Sequence, residues 1–244
     1  MSEAATTAAL VELHDRIVSC TRCPRLRAYC ARVGREKRRA YRAETYWARP
    51  VPGFGDPAAR ILIVGLAPAA HGANRTGRLF TGDGPGGAGD FLMAALHRAG
   101  LANRPVSIAR DDGLQLRDVY IAAAVRCAPP GNKPTPDEIR NCLPHLAAEA
   151  ALLSRVQAVV ALGRIGFDAY WRIVRGGAGG DSMARRRLSV GRRPVFGHNR
   201  SYRLSNGQTL IGSYHPSRQN THTGRLTPRM LDAVVARAKR VVGD

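Results

Sequence analysis

Four stretches of the chain are continuously apolar and rich in β-branched residues: RILIVGLAP (60–68), DVYIAAAVRC (118–127), QAVVALG (157–163) and TLIGSYHP (209–216). An apolar run without alternation is what a strand covered on both faces shows, so the pattern predicts buried parallel strands. Between them, apolar positions recur at helical spacing in AGDFLMAALHRAG (88–100), TPDEIRNCLPHLAAEAALLSR (135–155) and GRIGFDAYWRIV (163–174). A last helix over 227–242 opens with Thr227 as cap and Pro228 at its first position. The alternation predicts one α/β domain over residues 1–244 around a parallel sheet. In such sheets ligands bind beyond the carboxyl ends of the strands.

One segment breaks the pattern. Residues 176–208 run from GGAGG into arginine-rich sequence, which predicts a basic insertion forming a β-hairpin or mobile flap. The first twenty residues scatter Glu3, Glu12, His14 and Asp15 and hold no apolar core of a secretion signal, so neither export nor a membrane anchor is expected. A reducing cytoplasm follows as the expected location. There the five cysteines are more suited to metal binding, burial or chemistry than to disulfides. With 44% apolar residues in 244, the chain can build a core without cross-links.

Charge changes the picture of partners. The chain carries 38 Lys and Arg against 18 Asp and Glu, a net +20, with clusters at 32–39 and 185–193. Such a field favours a polyanion, and arginine's planar fork suits phosphate. A nucleic acid is the expected partner, with a solubility surface or the arginine preference of a GC-rich genome as the alternative.

Three strand exits carry unusual sequence. The first strand runs into GLAPAAHGANRTGRLFTGDGPGGAGDF (65–91), the second from Cys127 through APPGNKPTPDEIRNC to Cys142, and the fourth into HPSRQNTHTGRLTP (215–228). Cys20-x2-Cys23 and Cys127-x14-Cys142 offer four thiolates of the kind that hold an iron–sulfur cluster or a structural zinc, and spacing alone leaves both open. Cys30 is the spare, read as a small buried hydrophobe.

These motifs, GLAPAAHGANRTGRLFTGD, VRCAPPGNKPTPDEIRNC and HPSRQNTHTGRLT behind a leading CTRC, resemble the uracil-DNA glycosylase superfamily, and most closely its iron–sulfur family 5 branch (UDGb). The resemblance spans about residues 15–242. It implies an α/β/α sandwich with a central four-stranded parallel sheet. It also implies a [4Fe-4S] cluster on Cys20, Cys23, Cys127 and Cys142, which decides what spacing left open. The implied reaction is hydrolysis of the N-glycosidic bond of a uracil flipped out of DNA, expected to be double-stranded and bound by a monomer, leaving an abasic site.

The residues can be assigned roles for that chemistry. His215 is the expected hydrogen-bond donor to the leaving base. The first motif, Gly65-Leu66-Ala67-Pro68-Ala69, lacks the carboxylate or amide that other branches of the superfamily carry, so Asp83 is expected to position water, with Asp90 capping the following helix. Gly65, Leu66, Ala67 and Ala69 would line the base pocket and Phe80 would stack on the base. Asn132 is the expected polar partner at its mouth. Family 4 carries an asparagine four residues before the second-strand cysteine, where this chain has Ala123. That loss implies a roomier pocket, open to deaminated or oxidised bases besides uracil. Arg75, Arg78 and Arg225 are expected phosphate contacts, with surface solvation as the alternative for the first two; Arg218, Gln219 and Asn220 are expected to enter the duplex. With Lys133 the only lysine in these motifs, the enzyme is expected to be monofunctional. Rival readings are a non-catalytic DNA-binding or damage-sensing protein and a zinc-stabilised nucleotide hydrolase, the latter without a P-loop ending.

Overall fold

The structure, a computed structural model, describes residues 2–176 and 193–243. Its centre is a six-stranded sheet. In chain order the strands are β1 (Phe54–Gly55), β2 (Ile61–Gly65), β3 (Val119–Ala123), β4 (Ala158–Leu162), β5 (Ser201–Arg203) and β6 (Thr209–Ser213), arranged β1-β3-β2-β4-β6-β5. The four central strands are parallel, and every residue of β2, β3 and β4 is buried. The expected four-stranded sheet is thus extended at both edges by antiparallel strands, β1 on β3 and β5 on β6. At two and three residues these strands are too short to show a period in sequence, and such short edges offer little template for aggregation.

Successive strand residues point to opposite faces, and this divides the core in two. On one face Ile61, Ile63, Ile121, Val160 and Ile211 pack with Leu92, Met93 and Leu96 of α4 (Ala88–Arg98) and Leu231, Val234 and Val235 of α8 (Pro228–Val241). On the other, Leu62, Val64, Tyr120, Val159 and Leu210 pack with α1 (Glu3–Val18), α5 (Pro136–Leu152) and α6 (Arg164–Val174) through Leu10, Leu146, Phe167 and Tyr170. The result is the expected three-layer sandwich.

Two N-terminal helices were not anticipated. α1 buries Thr6, Leu10, Leu13 and Ile17, a stripe at steps of four, three and four; α2 (Pro24–Glu36) starts on Pro24 and buries Leu26, Cys30 and Val33. Two short helices, α3 (Ala73–Thr76) and α7 (Arg218–His222), lie in the loops after β2 and β6. Of the expected insertion at 176–208, residues 177–192 lie outside the described residues; its end forms the β5–β6 hairpin, closed by Leu204 N–H donating to Gln208 O at 2.7 Å. Among the described residues no helix is long and apolar enough to cross a membrane.

One ion pair ties the layers behind the sheet's carboxyl end. Arg126, just past β3, is 1% exposed and pairs with Glu149 of α5, which is fully buried and also accepts from Gly53 N–H at 2.8 Å. His14 of α1 joins through Tyr120 Oη at 2.8 Å. Glu149→Gln leaves the guanidinium buried without its counter-charge and is expected to cost about 3–5 kcal/mol in denaturant unfolding. The double replacement Arg126→Met with Glu149→Leu should recover most of that loss.

Candidate active site

The carboxyl ends of β2, β3 and β6 open into a cleft of about 760 Å³. The β2 exit contributes Leu66, Ala67, Ala69, Ala70 and the loop from His71 to Asp83; the β3 exit contributes Pro129, Gly131, Asn132 and Lys133; the β6 exit contributes His215, Ser217, Arg218 and Gln219. Three segments far apart in sequence therefore meet where parallel-sheet topology predicts a ligand.

Phe80 stands at the centre. Its backbone has φ +51°, a conformation that bulky residues seldom adopt. The ring packs so close over Gly65 that a Cβ there would come within 2.9 Å of it. Its other neighbour is the His215 imidazole, stacked at 6.0 Å between centroids and 27° between planes. Gly65 thus backs the aromatic wall rather than lining the cleft.

His215 follows β6 directly. Asn220 Nδ2 donates to its carbonyl at 2.8 Å, fixing the turn. Burial of the ring pushes its pKa down to about 4, so the imidazole is neutral at physiological pH and keeps one N–H to donate.

Asp83 lies opposite, on the β2 loop. One oxygen accepts from Gly89 N–H in the first turn of α4 at 3.3 Å, while the other presses against Gly72, where a Cβ would lie 1.9 Å from Oδ1. Burial, opposed by that N–H, raises the carboxyl above its ordinary range, and neighbouring Asp90 adds to the rise. Contrary to expectation Asp90 does not cap α4: the helix begins after Gly87, and Asp90 sits inside its first turn. Asn132 is exposed at the cleft mouth on a turn with φ +58°.

The expected DNA contacts divide. Arg218 and Gln219 are exposed on α7, and Arg218 bridges to the carbonyls of Asp83 and Pro85 at 3.1 and 3.4 Å. Arg225 is exposed, its guanidinium 4.8 Å from the Tyr214 ring. Asn220 is half-buried and its amide braces the His215 carbonyl. Arg75 and Arg78 correct both readings given them: they are neither phosphate contacts nor solvated, being 8% and 6% exposed. Arg75 pairs with Glu44, donates to the carbonyls of His71 and Gly82, and lies over the Tyr41 ring. Arg78 donates to Thr81, Ser107, Asp112 and the Arg110 carbonyl.

Sequence reasoning missed His71, Tyr29 and Tyr41, which line the cleft together with Arg38 of the basic cluster at 32–39. His71 accepts or donates to Tyr46 Oη at 3.0 Å, and burial with nearby Arg38 and Arg75 lowers its pKa. It stands inside the AAHGANRTG motif, so the signal was present; the tyrosines lie on segments with no motif.

Behind the cleft the cysteines gather. Cys23 lies within electrostatic reach of Cys20 and Cys127, and Cys142 of Cys127 and Cys23. Leu26, Val125, Ala128 and Ile139 form an apolar wall that also touches Ala67 and Ala70 of the cleft. Arg126 N–H donates to Cys142 Sγ at 3.2 Å and the Asn141 amide reaches Cys23 Sγ at 4.0 Å. Burial pushes the Cys142 thiol up to about 12; a hydrogen bond to Cys30, with burial, raises Cys127. Cys30 itself is fully buried against Ala128 O, in keeping with its expected role. Among the described residues no group of three or more His, Cys, Asp or Glu side chains is arranged to hold a metal ion. Cys20, Cys23, Cys127 and Cys142 are nonetheless all thiolate donors, the ligand type a multi-iron cluster takes. Such buried thiols would ionise only with cationic metal beside them.

Comparison with known proteins agrees with this geometry. Residues 52–239 match the family model described as Uracil DNA glycosylase superfamily. The chain is 52% identical over 233 residues to a Mycobacterium leprae protein named Type-5 uracil-DNA glycosylase, covering 95% of each chain. It is 51% identical over 227 residues to the protein of that name from Thermus thermophilus, covering 93% of this chain and 95% of the relative. A Type-4 uracil-DNA glycosylase from Pyrobaculum aerophilum is 29% identical over 210 residues, 85% of this chain and 83% of the relative. The chain belongs to the uracil-DNA glycosylase superfamily.

Proposed function

We propose that this protein excises uracil from DNA by hydrolysing the N-glycosidic bond. The observation that carries the proposal is the convergence of His215, Asp83 and Phe80 on one cleft at the carboxyl end of the sheet, in a chain about half identical to Type-5 uracil-DNA glycosylases over nearly its whole length. The substrate is taken to be a uracil rotated out of a duplex and laid against Phe80, with Asn132 meeting its polar edge. Ala123, standing where family 4 carries an asparagine, is taken to leave room for other deaminated or modified bases.

As the C1′–N1 bond breaks, its electron pair moves onto the base and the sugar gains oxocarbenium character. His215, neutral, donates a hydrogen bond to the oxygen of the departing base where negative charge grows. Asp83 holds a water for attack on C1′ and takes its proton. The products are free base and an abasic site. Among the described residues the lysine lining the cleft is Lys133, exposed at its mouth, and the abasic sugar is taken to stay in an unbroken strand. Arg218, Gln219 and Arg225 face the duplex, and the whole chain acts as a monomer in the cytoplasm.

Cys20, Cys23, Cys127 and Cys142 are proposed to hold a [4Fe-4S] cluster. Its contribution is structural: it would tie the segment before α2 to the β3 exit and α5, behind Ala67 and Ala70.

Three outcomes test this reading. On a duplex with one uracil opposite guanine, alkali-dependent cleavage should appear. In His215→Ala its single-turnover rate should fall about 10²–10³-fold; intact cleavage in that variant, or none in the wild type, overturns the assignment. The rate should fall on acidification with a midpoint above the ordinary aspartate value of about 3.9, because Asp83 must be ionised and burial raises its pKa. It should stay level from about pH 7 to 9, since His215 has long been neutral there. Asp83→Asn should abolish the acid limb with the rate. Finally, anaerobically purified protein should carry about four irons per chain, and Cys142→Ser should lose them together with the visible absorbance.

A further inference from the structure

Beside the cleft, one exposed side chain is held more rigidly than surface residues require. Ile108 is 62% exposed, the most exposed large hydrophobic among the described residues. A single apolar residue in water needs no explanation; its backbone does. Ile108 N–H and Ala109 N–H both donate to Asp112 Oδ2, at 2.7 and 3.2 Å, and Leu114 N–H donates to Oδ1 at 2.9 Å. The same carboxylate accepts from buried Arg78 at 2.8 Å, and Arg78 also holds Ser107 Oγ and Arg110 O. Against the upward push of burial, the Arg78 bond and the three backbone donors hold the Asp112 carboxyl down at about 2. The turn from Ser107 to Asp112 is therefore locked around a buried ion pair.

That turn abuts the catalytic loop. Gly82 N–H donates to Ser107 O at 2.9 Å, and a Cβ on Gly82 would lie 3.2 Å from Ile108 O. Gly82 lines the cleft and immediately precedes Asp83. Two exposed arginines meet at the Trp47 ring: Arg110, two residues beyond Ile108, at 4.7 Å, and Arg49 at 5.8 Å. An aliphatic point on a turn hydrogen-bonded to a cleft-lining residue, two positions from an exposed arginine, matches what duplex DNA accepts, with guanidiniums on phosphates and an apolar wedge between bases.

We propose that Ile108 is a wedge that enters the base stack beside the extruded nucleotide and fills the gap it leaves. The inference rests on the glycosylase reading above, but it can fail separately. A wedge helps only where there is a stack to part, so its effect belongs to duplex substrate.

The test uses the full-length protein, a uracil-containing oligonucleotide with 2-aminopurine next to the uracil, and the same strand paired or single. Ile108→Ala should slow single-turnover excision from the duplex roughly tenfold or more. It should leave the single-stranded rate unchanged and lose most of the 2-aminopurine fluorescence rise on duplex binding. Ile108→Met should restore both. Equal duplex rates for wild type and Ile108→Ala, or equal losses on both substrates, would overturn the wedge while leaving the glycosylase reading intact. Should the wild type release no base from either substrate, that reading fails first. The fluorescence rise on binding still decides whether Ile108 parts the stack.

Discussion

Two buried guanidiniums shape everything on the sheet's working edge. The loop from Gly65 to Gly87 has few large apolar side chains and could not hold one conformation by packing alone. Arg75 and Arg78 supply what packing does not. Arg75 gathers Glu44 and the carbonyls of His71 and Gly82, and Arg78 gathers Thr81, Ser107, Asp112 and the Arg110 carbonyl. A planar group with five donors satisfies several loop carbonyls at once, which a lysine could not do. Just past these two anchors the chain passes through the positive φ of Phe80 and delivers Asp83 to the cleft.

Burial then sets the protonation states. His215 is kept neutral and Asp83 is raised by the same loss of water, although the protein as a whole carries +20. The positive charge of the arginines serves two separate ends. Arg75, Arg78 and Arg126 spend it inside the fold on carboxylates and carbonyls, whereas Arg218 and Arg225 keep theirs toward solvent. Net charge alone thus overstates how many cations face a polyanion.

The cysteine pocket and the cleft share a wall. Ala67 and Ala70 touch both, and Arg126 joins Cys142 through its N–H and α5 through Glu149. Packing around the cysteines therefore bears on the small-residue floor of the cleft, a link no single motif discloses.

The sequence by itself determined the layered α/β class, the four central strands and the three loops that build the cleft. Burial on both faces writes an unbroken apolar run, and strand exits in a parallel sheet share one edge whatever their distance along the chain. Asp83, His215, Phe80 and Asn132 were legible because their motifs resemble a known family. The edge strands β1 and β5 were not, being too short to carry a period. Nor were the roles of Arg75, Arg78 and Asn220, whose residue types suit DNA and interior bracing equally. Only the tertiary structure decides which way such a side chain turns, because its partners, Glu44, Ser107 and Asp112 among them, lie on other segments.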